Sequence, residues 1–99
     1  MRVVFSSAFS KDLNEISDYI ALDSPKRAFS FTEDIRQRCL SLGDMPESGA
    51  ARPELGPNMR SVPFGRYVIF YIIYPDRLRI VRILHGARNL KTVFGGEGL

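Results

Sequence analysis

Apolar residues open the chain at Val3, Val4 and Phe5 and then change period. Phe9, Leu13, Ile16 and Ile20 are spaced by four, three and four positions, with Lys11, Asp12, Glu15 and Asp18 falling between them. A 3.6-residue repeat gathers such positions into one stripe, which predicts a helix over about 8–21 behind a short strand from Arg2 to Phe5. Asp23-Ser24-Pro25 interrupts the stripe. Ser24 can cap a new helix, and Pro25 suits the first helical position, where its missing N–H costs nothing. Ala28, Phe31, Ile35, Cys39 and Leu42 then recur at steps of three and four until Gly43 stops the pattern. Two helices joined so tightly predict an antiparallel hairpin over about 8–42.

Beyond Gly43 the text of the chain is different. Gly43, Pro46, Gly49, Pro53, Gly56 and Pro57 fill residues 43–58 with breakers, which predicts loop and turns. Three β-prone runs follow, Arg60–Phe64, Arg66–Tyr74 and Arg77–Leu84, separated by Gly65 and by Pro75-Asp76. The middle run is apolar on both parities, Val68, Phe70 and Ile72 against Tyr67, Ile69, Tyr71 and Ile73, so it predicts a central strand covered on both faces. The fold expected is α+β in the order β-α-α-β-β-β. A short N-terminal strand and a helical hairpin precede a three-strand antiparallel meander over about 59–85, with the helices on one face. The other face needs cover from neighbours of the first strand, from the C-terminal tail or from another protein.

Length changes this picture little: 99 residues at 11.2 kDa fit one domain, 1–99, with a real core, and residues 86–99 read as a flexible tail carrying Gly95-Gly96-Glu97-Gly98. Composition excludes more. With 44% apolar and 25% charged residues, neither a disordered nor a fibrous class fits. The longest apolar run, Tyr67–Tyr74, ends at Pro75 and is far short of the ~20 residues that span a bilayer. The first residues lack a secretory pattern, and a lone Cys39 offers neither a disulfide nor a cysteine metal cluster; a cytoplasmic location is expected, with no cofactor and no metal.

Charge is unevenly distributed. The net +3 conceals −2 over residues 1–51, with six basic and eight acidic side chains, and +5 over 52–99, with eight basic and three acidic. Seven of those eight are arginines, whose planar forks suit carboxylates and phosphates better than a lysine point charge does. Either a solvated surface or a partner site accounts for that excess.

Three segments, Pro53-Glu54-Leu55-Gly56, Arg60 through Tyr71 with its Gly65-Arg66-Tyr67, and Ile80 through Asn89, resemble the RelE/ParE superfamily of toxins from bacterial type II toxin–antitoxin pairs. The closing Leu84-His85-Gly86-Ala87-Arg88 and the long hairpin look like the ParE branch. The resemblance implies a growth-inhibiting cytoplasmic toxin of the bacterial stress response, which poisons DNA gyrase and is neutralised by a ParD-like, DNA-binding antitoxin wrapped around it. The alternative it implies is the RelE activity, ribosome-dependent cleavage of messenger RNA.

The residues can be weighed against both. Cleavage of RNA needs a base for the 2′-hydroxyl, cations for the phosphorane and an acid for the leaving oxygen. Arg66 could clamp phosphate and His85, the sole histidine, could be the acid; Glu54 is the candidate base, with nothing in the sequence to set its pKa. Where the nuclease branch often has lysines or a tyrosine beside the C-terminal histidine, this chain has Gly86. The structural alternative for His85 is an imidazole bonded to a backbone carbonyl, fixing the turn after the strand, with Gly86 there for a positive φ. Target-binding candidates are Arg60, Arg66, Arg82 and Arg88. Arg82 shares the parity of Leu78, Ile80 and Leu84, so it needs either an open groove or a carboxylate such as Glu33 or Asp34. Cys39 reads as a small core residue rather than a nucleophile, and Tyr67, Tyr71 and Tyr74 as core packing rather than an RNA-stacking sheet.

Overall fold

A computed structural model describes residues 1–94; Gly95-Gly96-Glu97-Gly98 lies outside the described residues. Strand β1, Arg2–Phe5, runs into helix α1, Ser7–Ala21, and α2, Pro25–Ser41, completes the hairpin. Both helices begin on serine caps: the Ser6 hydroxyl accepts from Phe9 N–H at 3.0 Å and the Ser24 hydroxyl from Arg27 N–H at 3.2 Å. After a 3₁₀ turn at Pro46–Ser48 come β2, Ala50–Ala51, then β3, Met59–Phe64, β4, Tyr67–Ile73, and β5, Arg77–His85, and last a short helix α3, Leu90–Phe94. Among the described residues no helix is long and apolar enough to cross a membrane.

The strands make one five-stranded sheet in the order β1-β5-β4-β3-β2. The predicted meander is its centre, β3-β4-β5, all antiparallel, but the sheet is mixed because β1 pairs in parallel with β5, Arg2 opposite Arg77 and Val4 opposite Arg79. The helical hairpin, followed by β2, β3 and β4, makes up the long connection between these two parallel strands. β2 hides among the breakers because two residues are too short to show a period; Ala51 pairs with Arg60 on the outer edge of β3.

The hairpin covers one face of the sheet. Phe9, Leu13, Ile35, Cys39 and Leu42 pack there on Val62, Ile69, Tyr71, Leu78, Ile80 and Ile83. Alternate residues of β4 look the other way: Phe70 and Ile72 join Leu55, Met59, Val81 and Leu84 in a second core, closed by Leu90, Val93 and Phe94 of α3. Thus β4 is covered on both sides, and the cover on the far side includes the C-terminal segment. The reading of 86–99 as a flexible tail is therefore corrected at α3, where apolar residues at i, i+3 and i+4 reach the sheet and Phe94 meets Phe70 edge-on at 5.0 Å.

The register between β4 and β5 slips once. Tyr71 lies opposite Ile80 and Phe70 opposite Arg82, so Val81 is an extra residue, a β-bulge. Beyond it the parity of β5 reverses: Leu78, Ile80 and Ile83 face the hairpin, whereas Val81 and Leu84 face the second core. Arg82 therefore does not continue the row of Leu78 and Ile80, and Leu84 does not either.

Two tight spots explain glycines. In the Phe64–Tyr67 turn Gly65 has φ +58° while Arg66 stays out of the left-handed region, the φ pattern of a type II′ hairpin. The Tyr71 hydroxyl, fully buried, donates to Pro46 C=O at 2.6 Å and accepts from Gly49 N–H at 2.9 Å, fastening the 46–49 turn to the sheet. A Cβ on Gly49 would lie 2.5 Å from that oxygen. Tyr71→Phe keeps the ring but orphans both backbone groups, so the urea midpoint should fall by the equivalent of about 1–3 kcal/mol with an unchanged slope. A midpoint equal to that of the native protein would show that the hydroxyl does not hold the turn.

Candidate functional site

The β3–β4 turn, the end of β5 and the middle of α1 meet at one end of the sheet. Tyr67 is opposite His85, and Gly86 N–H donates to Arg66 C=O at 2.8 Å, which sets the exposed Arg66 beside the exposed His85. Gly86 is not left-handed; what it provides is closeness, since a Cβ there would stand 3.3 Å from the Arg66 carbonyl oxygen. Arg88 N–H donates to His85 C=O at 2.9 Å, turning the chain back toward α1. A cleft of about 200 Å³ results, lined by Asp12, Glu15, Tyr19, Tyr67, His85 and Arg88 among others.

His85 does fix the turn that follows it, with the polarity opposite to that expected. Its Nδ1 accepts from Ala87 N–H at 3.2 Å instead of the ring donating to a carbonyl. In the neutral imidazole this bond places the proton on Nε2, leaving an N–H on an exposed ring that packs edge-on against Tyr67 at 5.7 Å.

Arg82 is taken. Its Nε and one terminal nitrogen donate to the two oxygens of Asp12 at 2.6 and 2.8 Å, and one of those oxygens also accepts Ile83 N–H at 3.2 Å. The partner is thus on α1, not Glu33 or Asp34 of α2: the bulge aims Arg82 at the sheet edge beside which α1 begins. Hydrogen bonding to the Asp12 carboxylate raises the Arg82 pKa above its ordinary value, while partial burial pulls the other way. Ser6 continues the same edge, its N–H donating to Ile80 C=O at 2.9 Å and its hydroxyl to Val81 C=O at 2.8 Å.

Arg60 stands at the opposite end of the sheet. Its guanidinium donates to Gly49 C=O at 2.6 Å and Glu47 C=O at 3.3 Å, beside an open groove of about 1030 Å³ walled by Met45, Pro46, Pro53, Met59 and Ile73. The four candidate arginines therefore do not form one patch: Arg66 and Arg88 share the His85 end, Arg82 is neutralised between, and Arg60 buttresses a distant turn.

Glu54 does have a group that sets its pKa. Arg52 Nε donates to it at 2.8 Å, and that bond holds the carboxyl below its ordinary value; Glu54 is not among the residues lining the His85 cleft. The carboxylates that line the cleft with His85 are Asp12 and Glu15, which belong to the acidic half of the sequence and not to the basic one. Their signal was present, because positions 12, 15 and 19 share one helical face. Tyrosines do not form a stacking row: Tyr71 is buried, Tyr67 packs on Phe31 at 5.5 Å, and Tyr74 lies 4.4 Å beneath the Arg77 guanidinium. Cys39 is fully buried, and desolvation pushes its thiol up to about 12 against the nearby Arg38 and Arg36, which makes it an unreactive core side chain.

The sequence model of the ParE toxins of type II toxin–antitoxin systems, parDE, matches residues 3–90. This chain belongs to that family: it is a ParE-family toxin of a type II toxin–antitoxin system. Its fold is similar to a chain of the chromosomal ParDE toxin–antitoxin system from P. aeruginosa, with TM-score 0.73 and 24% identity over 86% of this chain and 95% of that one. It is also similar to a chain of the RelBE2 toxin–antitoxin complex from Mycobacterium tuberculosis, with TM-score 0.62 and 22% identity over 85% and 95%. A search of curated proteins found no match.

Two outcomes test the site's framework. Asp12→Ala strands the Arg82 charge and the Ile83 amide, so it should destabilise by about 2–4 kcal/mol, and a double-mutant cycle with Arg82→Met should show coupling above about 1 kcal/mol. Additive losses in that cycle would mean that the pair is incidental. For Cys39, a thiol with a raised folded pKa stays protonated until well above its unfolded value of 9.0. Native protein therefore binds more protons than unfolded protein between pH 9 and about 12, and stability falls as pH rises through that window. Cys39→Val should flatten this alkaline limb in denaturant titrations; an unchanged limb would assign it to other groups.

Proposed function

We propose that this toxin arrests growth by binding and poisoning DNA gyrase, without cutting a nucleic acid, and that a co-expressed ParD-like, DNA-binding antitoxin holds it in check in the cytoplasm. The observation that carries this reading is that the expected base, Glu54, and the buried carboxylate of the His85 cleft, Asp12, are both committed elsewhere, which leaves that cleft with the exposed Glu15 alone as a possible base. Glu54 is tied to Arg52, and Asp12 is tied to both Arg82 and the Ile83 amide. Arg66, His85 and Arg88 remain as an exposed, cationic and hydrogen-bonding end of the sheet, suited to engage a protein target. The Leu84–Arg88 segment and the helical hairpin, in which the chain resembles ParE, frame that end. Antitoxin recognition accords with exposed Tyr19, Leu22 and Phe29 on the hairpin, apolar side chains that an acidic, apolar-striped segment could cover.

A ribosome-dependent endoribonuclease is the second reading, favoured by the adjacency of Arg66, His85 and Arg88. Purified toxin added to a gyrase supercoiling reaction, and separately to ribosomes translating a defined message, distinguishes the two. Supercoiling should be lost and the message should stay intact; cleavage between codon positions with supercoiling untouched would overturn the gyrase reading. Among variants, Arg66→Ala and Arg88→Ala should each weaken gyrase inhibition partially, by about 1–2 kcal/mol of binding, and His85→Ala should do no more. An all-or-none loss at His85 in a folded variant would point to acid catalysis.

A further inference from the structure

The C-terminal helix does not close the far face of the sheet completely. Phe70 and Leu84 are buried there, but Ile72, Val81 and Phe94 stay half-buried, and a groove of about 320 Å³ lies between α3 and the first turn of α1. It opens where β1 stops accompanying β5, since their pairing ends at Ile80 and Val81 is the bulged residue. Two arginines flank its apolar floor. Arg82 is held by Asp12 at 2.6 Å, whereas Arg79 is exposed and, among the described residues, forms no ion pair. The strand neighbours of Arg79, Leu78 and Ile80, pack beneath the hairpin, so Arg79 stands on the same side of β5 as Val81.

Charge sets this groove apart from the other two clefts. The cleft at His85 includes Asp12 and Glu15 and the groove at Arg60 includes Glu47, but here no carboxylate is among the lining residues and the charged ones are Arg79 and Arg82. An occupant must bring its own negative charge, and it must bring an apolar group to gain from Ile72, Val81 and Phe94. The volume is at the low end of the range for ligand pockets, about 300–1,000 Å³, and suits an inserted side chain and not a partner helix of about 10 Å diameter. Nucleic acid offers the charge without the apolar group. Its phosphates would meet one free guanidinium in this groove, and its bases would find no free ring, because Phe94 is turned edge-on against Phe70 at 5.0 Å. A bilayer needs protruding apolar side chains, and none of the large exposed ones, such as Tyr19, Leu22 and Phe29, lines the groove. A peptide supplies both needs, a leucine-sized side chain for the floor and a neighbouring carboxylate for Arg79. We propose that the groove between α1 and α3 docks an acidic peptide segment of a partner protein, anchored by one apolar side chain over Ile72, Val81 and Phe94 and oriented by Arg79. The site is separate from the His85 end, and the proposal stands whichever target the toxin acts on.

The test is fluorescence anisotropy of the purified full chain with a short labelled peptide of glutamates around a single central leucine. Serine in place of that leucine should weaken binding about fivefold, because the floor then gains no apolar partner. Arg79→Ala should weaken it about threefold and Arg79→Glu, which adds repulsion, about tenfold. Val81→Thr keeps the shape of the floor but adds a hydroxyl, so it should remove the preference for leucine over serine. Arg27→Glu makes the same change of charge at an exposed position of α2 outside the groove, and should alter binding by less than about twofold. Equal binding of the two peptides, or equal losses from Arg27→Glu and Arg79→Glu, would reduce the interaction to net charge and overturn the proposal. So would an oligonucleotide that binds the native chain more tightly than the peptide and loses that advantage in Arg79→Glu. Sedimentation of the free chain as a dimer that Arg79→Glu dissociates would give the groove to a second copy and overturn it equally.

Discussion

The carboxylate of Asp12 does for strand β5 what a neighbouring strand would do. β1 runs beside β5 only from Arg77 to Ile80, and the chain then leaves the sheet to begin α1. The Val81 bulge falls just past that point, where β5 would present unpaired backbone groups at a half-open edge. Ser6 satisfies the first two of them and Asp12 takes the Ile83 amide, with the Arg82 guanidinium gripped in the same bond set. Because the groups that finish the strand belong to the start of α1, the helix cannot slide or rotate without exposing them. The position of α1 in turn sets the wall of Asp12, Glu15 and Tyr19 opposite His85 and Arg88.

The same arrangement decides which arginines are free to act. Arg82 neutralises a nearly buried carboxylate and Arg60 holds backbone carbonyls of the 46–49 turn, so both are structural members of the fold. Charge remains exposed at one end and on the far face: Arg66 and Arg88 beside His85, and Arg2 and Arg79 across β1 and β5, with Arg77 between them held by Asp76 and Tyr74. A chain with a net charge of only +3 thereby presents two separate cationic surfaces.

The helices were legible because their stripes are long and each has a serine cap, and β4 was legible because it is apolar on both parities. What escaped was short or non-local. β2 is two alanines among breakers, and α3 is a single turn beyond the strands whose Leu90, Val93 and Phe94 matter only once a bare sheet face is there to meet them. Pairing of β1 with β5 joins residues about 75 positions apart and leaves no local pattern. The bulge had the largest consequence for the site: one extra residue at Val81 moved Leu84 to the other core and sent Arg82 to Asp12 instead of to α2. That Arg2 stands opposite Arg77 is likewise a property of the register and not of the sequence.

The claim that Asp12 completes the edge of β5 is most directly tested by native-state hydrogen exchange at the Ile83 amide. If the carboxylate holds that N–H at 3.2 Å as described, Ile83 should exchange as slowly as Phe70, an amide of the central strand β4, and through the same cooperative opening. Exchange of Ile83 at the rate of an exposed loop amide, with Phe70 still protected, would show that α1 does not close the sheet.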